Sequence, residues 1–98
     1  MQQAFRDAVY QIVAAIPAGT VCSYGQVARQ AGYPRHARFV GRLLSQLPPD
    51  SRLPWHRVLR SDGRIAVPGA AAEAQIARLT AEGVPVLDQR VSRRCFQT

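Results

Sequence analysis

The sequence has no lysine. All 13 of its basic residues are arginine, set against 6 acidic ones, which gives a formal charge of +7 and a pI near 11.0. Such an excess on 98 residues points to a polyanionic partner, either nucleic acid or an anionic membrane surface. Cysteine is scarce. Cys22 and Cys95 are the only two, too few for a disulfide framework. With His36 and His56 they make up the whole soft-ligand set, at gaps of 14, 20 and 39 positions and with no C-x-x-C or H-x-x-x-H pair. No metal site and no cofactor are expected. No apolar run approaches the roughly 18 residues of a membrane span. Met1 to Asp7 lacks the basic-then-apolar layout of a secretory leader. These absences imply a cytoplasmic protein, away from the membrane, with both thiols free. What is present suffices for a core: 47% of residues are hydrophobic, over a length that fits one domain, residues 1–98.

The periodicity predicts a mainly helical chain. Ala4, Phe5, Ala8, Val9, Ile12, Val13 and Ile16 recur at helical spacing, with Arg6, Asp7 and Gln11 outward, until Pro17-Ala18-Gly19 stops the helix. Ser23-Tyr24-Gly25-Gln26 is a capping-box pattern and opens a short helix with Val27, Ala28 and Ala31 inward. Gly32 suits its left-handed C-terminus. Pro34 suits the first position of the next helix, expected from about Arg35 to Gln46. That helix buries Phe39, Val40, Leu43 and Leu44 and shows Arg35, His36, Arg38 and Arg42 on its other face. Three prolines make residues 47–54 a loop. Asp62-Gly63 marks a tight turn or small hairpin between Leu59 and Ile65. An alanine-rich helix is expected over residues 70–82, ended by Gly83. The tail from Val84 to Phe96 has extended character.

Two short helices joined by Ala31-Gly32-Tyr33-Pro34 fit either a plain helical hairpin or a helix-turn-helix. The charge favours the second. Eight arginines lie between positions 29 and 64 against only Asp50 and Asp62, so a net +6 of the chain's +7 falls on and just after the second helix.

At this point several motifs stand in order. They are Ile16-Pro17-Ala18-Gly19-Thr20-Val21, Ser23-Tyr24-Gly25-Gln26-Val27-Ala28, Gly32-Tyr33-Pro34-Arg35-His36-Ala37-Arg38-Phe39-Val40-Gly41, Pro54-Trp55-His56-Arg57-Val58, Asp62-Gly63 and Glu82-Gly83. Over roughly residues 5–84 the chain resembles the C-terminal DNA-binding domain of O6-alkylguanine-DNA alkyltransferases. The resemblance implies a winged-helix-like helix-turn-helix fold. In those enzymes the Trp55 position holds the cysteine that accepts the alkyl group, and an indole offers no comparable nucleophile. In this respect the chain is similar to the alkyltransferase-like proteins, which bind alkylated DNA without repairing it.

The roles below are those the resemblance implies. Tyr24 crowds the phosphate of the target nucleotide and helps rotate it. Arg38 enters the stack as a finger, a task that suits a planar guanidinium. Trp55, Val67 and Pro68 line the base pocket with Tyr24, His56 and Arg57. Arg35, Ala37, Gly41 and Arg42 join Tyr24 and Arg38 on the DNA. Gly41 allows close approach by the DNA backbone or by the Pro54 loop. His56 and Glu82 persist as a structural brace, without catalysis. Leu47-Pro48 replaces an asparagine-proline, and Pro68-Gly69 falls near the tyrosine-serine of the substrate lid, which implies a roomier, less polar pocket.

The leading expectation is therefore a non-enzymatic, monomeric damage sensor. It binds the minor groove of double-stranded DNA, flips O6-alkylguanine and flags it for nucleotide excision repair proteins. Three alternatives remain: an active alkyltransferase using another nucleophile such as Cys22 or Cys95, a helix-turn-helix transcriptional regulator, and a protein-interaction module with incidental basicity. Arg60 and Arg64 are expected to join Arg35 and Arg42 on phosphates, adding affinity without lesion information.

Overall fold

A computed structural model describes residues 3–97. Met1, Gln2 and Thr98, at the ends of the expected 1–98 unit, lie outside the described residues. Helix α1 (Gln3–Ala14) buries Phe5, Val9 and Val13 along one stripe. Ile16 is buried just beyond it, while Ala4 is exposed despite its place in the pattern. Strand β1 (Cys22–Ser23) follows, and α2 (Tyr24–Gln30) starts on a complete capping box. Ser23 accepts from the Gln26 N–H, and the Gln26 side chain accepts from the Ser23 N–H, each at 3.0 Å.

The end of α2 sets the angle of the helix-turn-helix. Gly32 takes φ +91°. The Tyr33 N–H reaches the Ala28 carbonyl at 2.8 Å and the Gly32 N–H reaches that of Arg29 at 3.0 Å, the paired bonds of a Schellman motif. Helix α3 spans Ala37–Ser45, two residues shorter at its start than the sequence predicts. Tyr33 to His36 forms a turn closed by a 3.0 Å bond, and Pro34 occupies the turn position its fixed φ favours, not the first turn of the helix. Arg35 therefore lies outside α3. His36 caps the helix by position only, without a side-chain hydrogen bond. Its ring sits among Phe5, Tyr33 and Phe39, at 5.2–5.5 Å between centroids, instead of on the basic face. Phe39, expected in the core, is about one-third exposed, with the Arg42 guanidinium 5.9 Å from its ring centre.

Strand β2 (Val58–Leu59) pairs in parallel with β1, Cys22 opposite Val58 and Ser23 opposite Leu59. Helix α4 (Gly69–Ala81) ends in a second Schellman motif, with Gly83 at φ +82°. The tail forms an antiparallel hairpin of β3 (Val86–Leu87) and β4 (Arg90–Val91) around Asp88 and Gln89, both at positive φ. This is the wing. Asp62-Gly63 makes a turn and no hairpin of its own; the Gly63 carbonyl accepts from the Val91 N–H at 2.8 Å, so the turn is built against β4. One apolar cluster joins α1, α2, α3 and Val58, and a second joins Val21, Leu59, Ile65, Leu79, Val84 and Val91. The β1–β2 ladder contributes to both. No described helix is long and apolar enough to cross a membrane.

Gly63 has φ +83°, and a Cβ there would collide with the Val91 carbonyl oxygen. Gly63→Ala is expected to cost about 1–3 kcal/mol in urea unfolding. Gly41, by contrast, would place a Cβ 3.7 Å from the Tyr24 ring, an ordinary contact. Gly41→Ala should leave stability unchanged or raise it by up to about 1 kcal/mol. Equal costs at the two sites would contradict this.

Candidate nucleic-acid interface

The proline-rich loop after α3 leads into a short 3-10 turn, Trp55–Arg57. The Arg57 N–H bonds the Pro54 carbonyl at 3.0 Å, and the next two residues enter β2, so the parallel ladder fixes the turn against α2. The Trp55 ring is half-buried. It packs on the first apolar cluster and also forms part of the wall of a cavity of about 700 Å³. Tyr24, Gly41, Leu47, Pro48, Val67 and Pro68 share that wall. Gly41 thus faces the Tyr24 ring and the cavity, not the Pro54 loop.

A shallower cleft adjoins the cavity. Tyr24, Gly41, Val67 and Pro68 border both, and Ala37, Arg38 and Arg42 from α3 border the cleft alone. Arg38 is exposed, and among the described residues it makes no ion pair. Burial pushes the Tyr24 phenol pKa up, so it stays protonated. The arrangement is a cationic helix face opening onto an apolar chamber with an aromatic side wall.

His56 and Arg57, expected in the pocket, do not line it. They point to Glu82, the residue that caps α4. The Arg57 guanidinium donates to the Glu82 carboxylate at 2.6–3.1 Å and to the Ile16 carbonyl at 2.7 Å. His56 Nε2 lies 2.7 Å from Glu82 Oε2, so its proton sits on that nitrogen, since the carboxylate only accepts. The Gly19 N–H completes the set at 3.2 Å. Arg57 first, with His56 and Gly19, lowers the Glu82 pKa from 4.5 to about 2.

The remaining predicted residues scatter. Arg35 is exposed and borders neither cavity nor cleft. Arg60 and Arg64 both approach Asp62, at 3.1 and 3.9 Å, and border a separate cleft against the wing with Arg90. Cys22 is buried, and its Sγ lies 3.0 Å from Gln97 Oε1. Burial raises its thiol pKa, which disfavours a thiolate. Neither cysteine borders the cavity.

Two residues escaped the sequence reading. Gln75 is buried and donates to the carbonyls of His56 and Val58 at 3.2 and 3.1 Å, tying the Trp55 turn to α4. Its place between Ala72 and Leu79 on the inner face of an amphipathic helix was the available signal. Arg78 borders the cavity, with its guanidinium 5.6 Å from the centre of the Trp55 ring. No sequence pattern joins these two positions.

Residues 4–84 match the DNA-binding domain of 6-O-methylguanine DNA methyltransferase. The chain belongs to that family. Among the curated relatives of this methyltransferase-domain chain, the DNA base-flipping protein of Escherichia coli is 51% identical over 85 residues, covering 87% of this chain and 66% of its own length. Alkyltransferase-like protein 1 of Schizosaccharomyces pombe is 42% identical over 84 residues, 84% of this chain and 78% of its own. The crystal structure of S. pombe Atl1 in complex with damaged DNA containing O6-carboxymethylguanine superposes with a TM-score of 0.93 at 33% identity, covering 100% of this chain and 98% of that one. The O6-methylguanine methyltransferase of Mycobacterium tuberculosis superposes at 0.74 with 32% identity, over 84% of this chain but only 50% of the enzyme. The mainly helical, winged helix-turn-helix architecture is therefore that of the methyltransferase domain.

The Glu82 cluster joins three segments of this domain, so its loss is a stability event. Glu82→Gln should cost about 3 kcal/mol, the low end for stranding one partner of a largely buried pair. The depressed pKa also sets the acid response. Glu82 contributes fully above its ordinary 4.5, and the contribution fades as pH falls towards about 2. Urea midpoints at pH 7, 4 and 3 should show that decline in the parent and a shallower one in Glu82→Gln. Parallel declines would contradict the assignment.

Proposed function

We propose that this chain is a non-enzymatic sensor of O6-alkylguanine in duplex DNA. It binds the minor groove through α2 and α3, rotates the damaged nucleotide out of the stack and holds it in the cavity beside Trp55. The names of its relatives support base flipping, and the likeness to Atl1 on damaged DNA supports lesion binding. The observation that carries the reading is the indole itself. Trp55 lines the cavity at the position where the family resemblance implies an acceptor cysteine, and neither cysteine borders the cavity.

The parts then have distinct work. A stacked base is out of reach of a pocket, and extrusion costs a few kcal/mol. Tyr24 stands where cleft and cavity meet and presses the backbone of the target nucleotide. Arg38, free of acidic partners on the adjoining helix face, fills the vacated place and bonds the orphaned base. Trp55 and the aliphatic wall receive the flipped base by stacking and burial. His56, Arg57 and Glu82 hold the Trp55 turn rigid. With no transfer step, the outcome is a long-lived protein–lesion complex that excision repair proteins can recognise.

Incubation with O6-methylguanine duplex followed by mass spectrometry of the protein tests the absence of chemistry. No mass gain is expected, and stoichiometric methylation would overturn the reading. Titrations over a salt series test the division of work. Arg42→Ala should weaken damaged and undamaged DNA alike and reduce the slope of log K against log salt by about 0.9. Trp55→Ala should leave the slope and lower the damaged-to-undamaged ratio, and Arg38→Ala should weaken lesion binding by about 1–3 kcal/mol. An unchanged ratio in Trp55→Ala would remove the indole from the pocket.

A further inference from the structure

The cavity wall contains one charged residue, Arg78. It stands in the last turn of α4, with its guanidinium carbon 5.6 Å from the centre of the Trp55 ring. The ion pairs among the described residues are all made by Glu82 and Asp62, so no carboxylate neutralises it. The cavity around it is built mainly of alanine, leucine, valine, proline and aromatic surface.

A guanidinium resting on an indole face is held in place by the ring while its N–H groups remain available. Arg78 itself is exposed, so those donors meet an anion with the modest strength of a partly solvated charge-assisted bond. A plain alkyl substituent gains nothing from them. We infer that Arg78 is a specificity-determining residue that favours O6 substituents ending in an anionic, carboxylate-like group. The inference rests on the reading above, in which this cavity receives the flipped base. Arg38 and Arg42 border the adjoining cleft and not this cavity, Arg38 to enter the stack and Arg42 to meet backbone phosphates common to every duplex.

The test compares four duplexes of one sequence carrying guanine, O6-methylguanine, O6-carbamoylmethylguanine or O6-carboxymethylguanine. The carbamoyl and carboxyl adducts match in size and differ in charge. The wild-type protein should bind the carboxymethyl adduct about tenfold more tightly than the carbamoylmethyl one, the scale of one partly exposed charge-assisted hydrogen bond. Arg78→Gln should bring that ratio to about one, and Arg78→Lys should keep part of it. Thermal melts confirm that each variant folds. A wild-type ratio of one or less, or a ratio that survives Arg78→Gln, overturns the inference. So does an equal loss across all four duplexes, which would make Arg78 a phosphate contact. The proposed lesion sensing fails separately, if O6-methylguanine is bound no better than guanine.

Discussion

The Glu82 carboxylate is the point on which the rest of the structure turns. It ends α4, and from there it meets the Arg57 and His56 side chains and the Gly19 N–H. Those partners belong to the Trp55 turn and to the bend between α1 and β1. Arg57 extends the connection to the Ile16 carbonyl. Through one residue, the helix of the second apolar cluster is tied to segments that frame the first. The Schellman motif at Gly83 makes this possible, because it ends the helix where the carboxylate can reach inward. Five hydrogen bonds also hold the charge ionised, and an uncompensated Arg57 would be costly at that depth.

This anchoring separates two tasks that a lesion reader has to combine. Affinity for any duplex comes from charge, and the arginines of α3 stand on an exposed face with water around them. In the proposed reading, discrimination falls to a chamber with few polar atoms, where shape, stacking and the Arg78 charge decide. Tyr24 and Gly41 border both regions. In the proposed reading, a nucleotide passes there from the cationic cleft to the apolar chamber. The loop of Leu47, Pro48 and Pro49 closes one side of the chamber with side chains that donate no hydrogen bonds, so that side sets few polar demands on what it accepts.

Much of this was legible in the sequence where local chemistry decides the backbone. The capping box at Ser23, the left-handed glycines 32 and 83, and the apolar stripe of α1 each act through neighbours a few positions away. The start of α3 was not legible, because Pro34 satisfies a turn as well as a helix start and only the closing bond to Tyr33 selects between them. His36 and Phe39 traded expected places for a similar reason. The aromatic cluster with Phe5 is a contact between α1 and α3 that periodicity within either helix does not contain. The parallel pairing of Val58 with Cys22 and the wing's hold on Gly63 are long-range in the same way. In the site, Trp55, Tyr24, Val67 and Pro68 border one cavity, while His56 and Arg57 turn away from it to Glu82. Arg60 and Arg64 turned to Asp62 and the wing, since an acid two positions away competes with any distant phosphate.

The same geometry bears on the histidine–glutamate pair behind Trp55. In a relay that moves protons, the carboxylate orients a histidine that must itself gain and lose a proton. Here Arg57 makes three of the bonds to Glu82, and the carboxylate titrates near pH 2. Such a group stays charged and fixed across the whole physiological range, which is a poor property for a proton acceptor and a good one for a brace. A stacking wall has the corresponding need. Any freedom left to the Trp55 turn would be lost when a base arrives, and that ordering cost would subtract from binding. Gln75 removes more of that freedom from beneath, by holding the His56 and Val58 carbonyls on either side of Arg57. On the proposed reading, rigidity of the wall, rather than reactivity at it, is thus the property that the network serves.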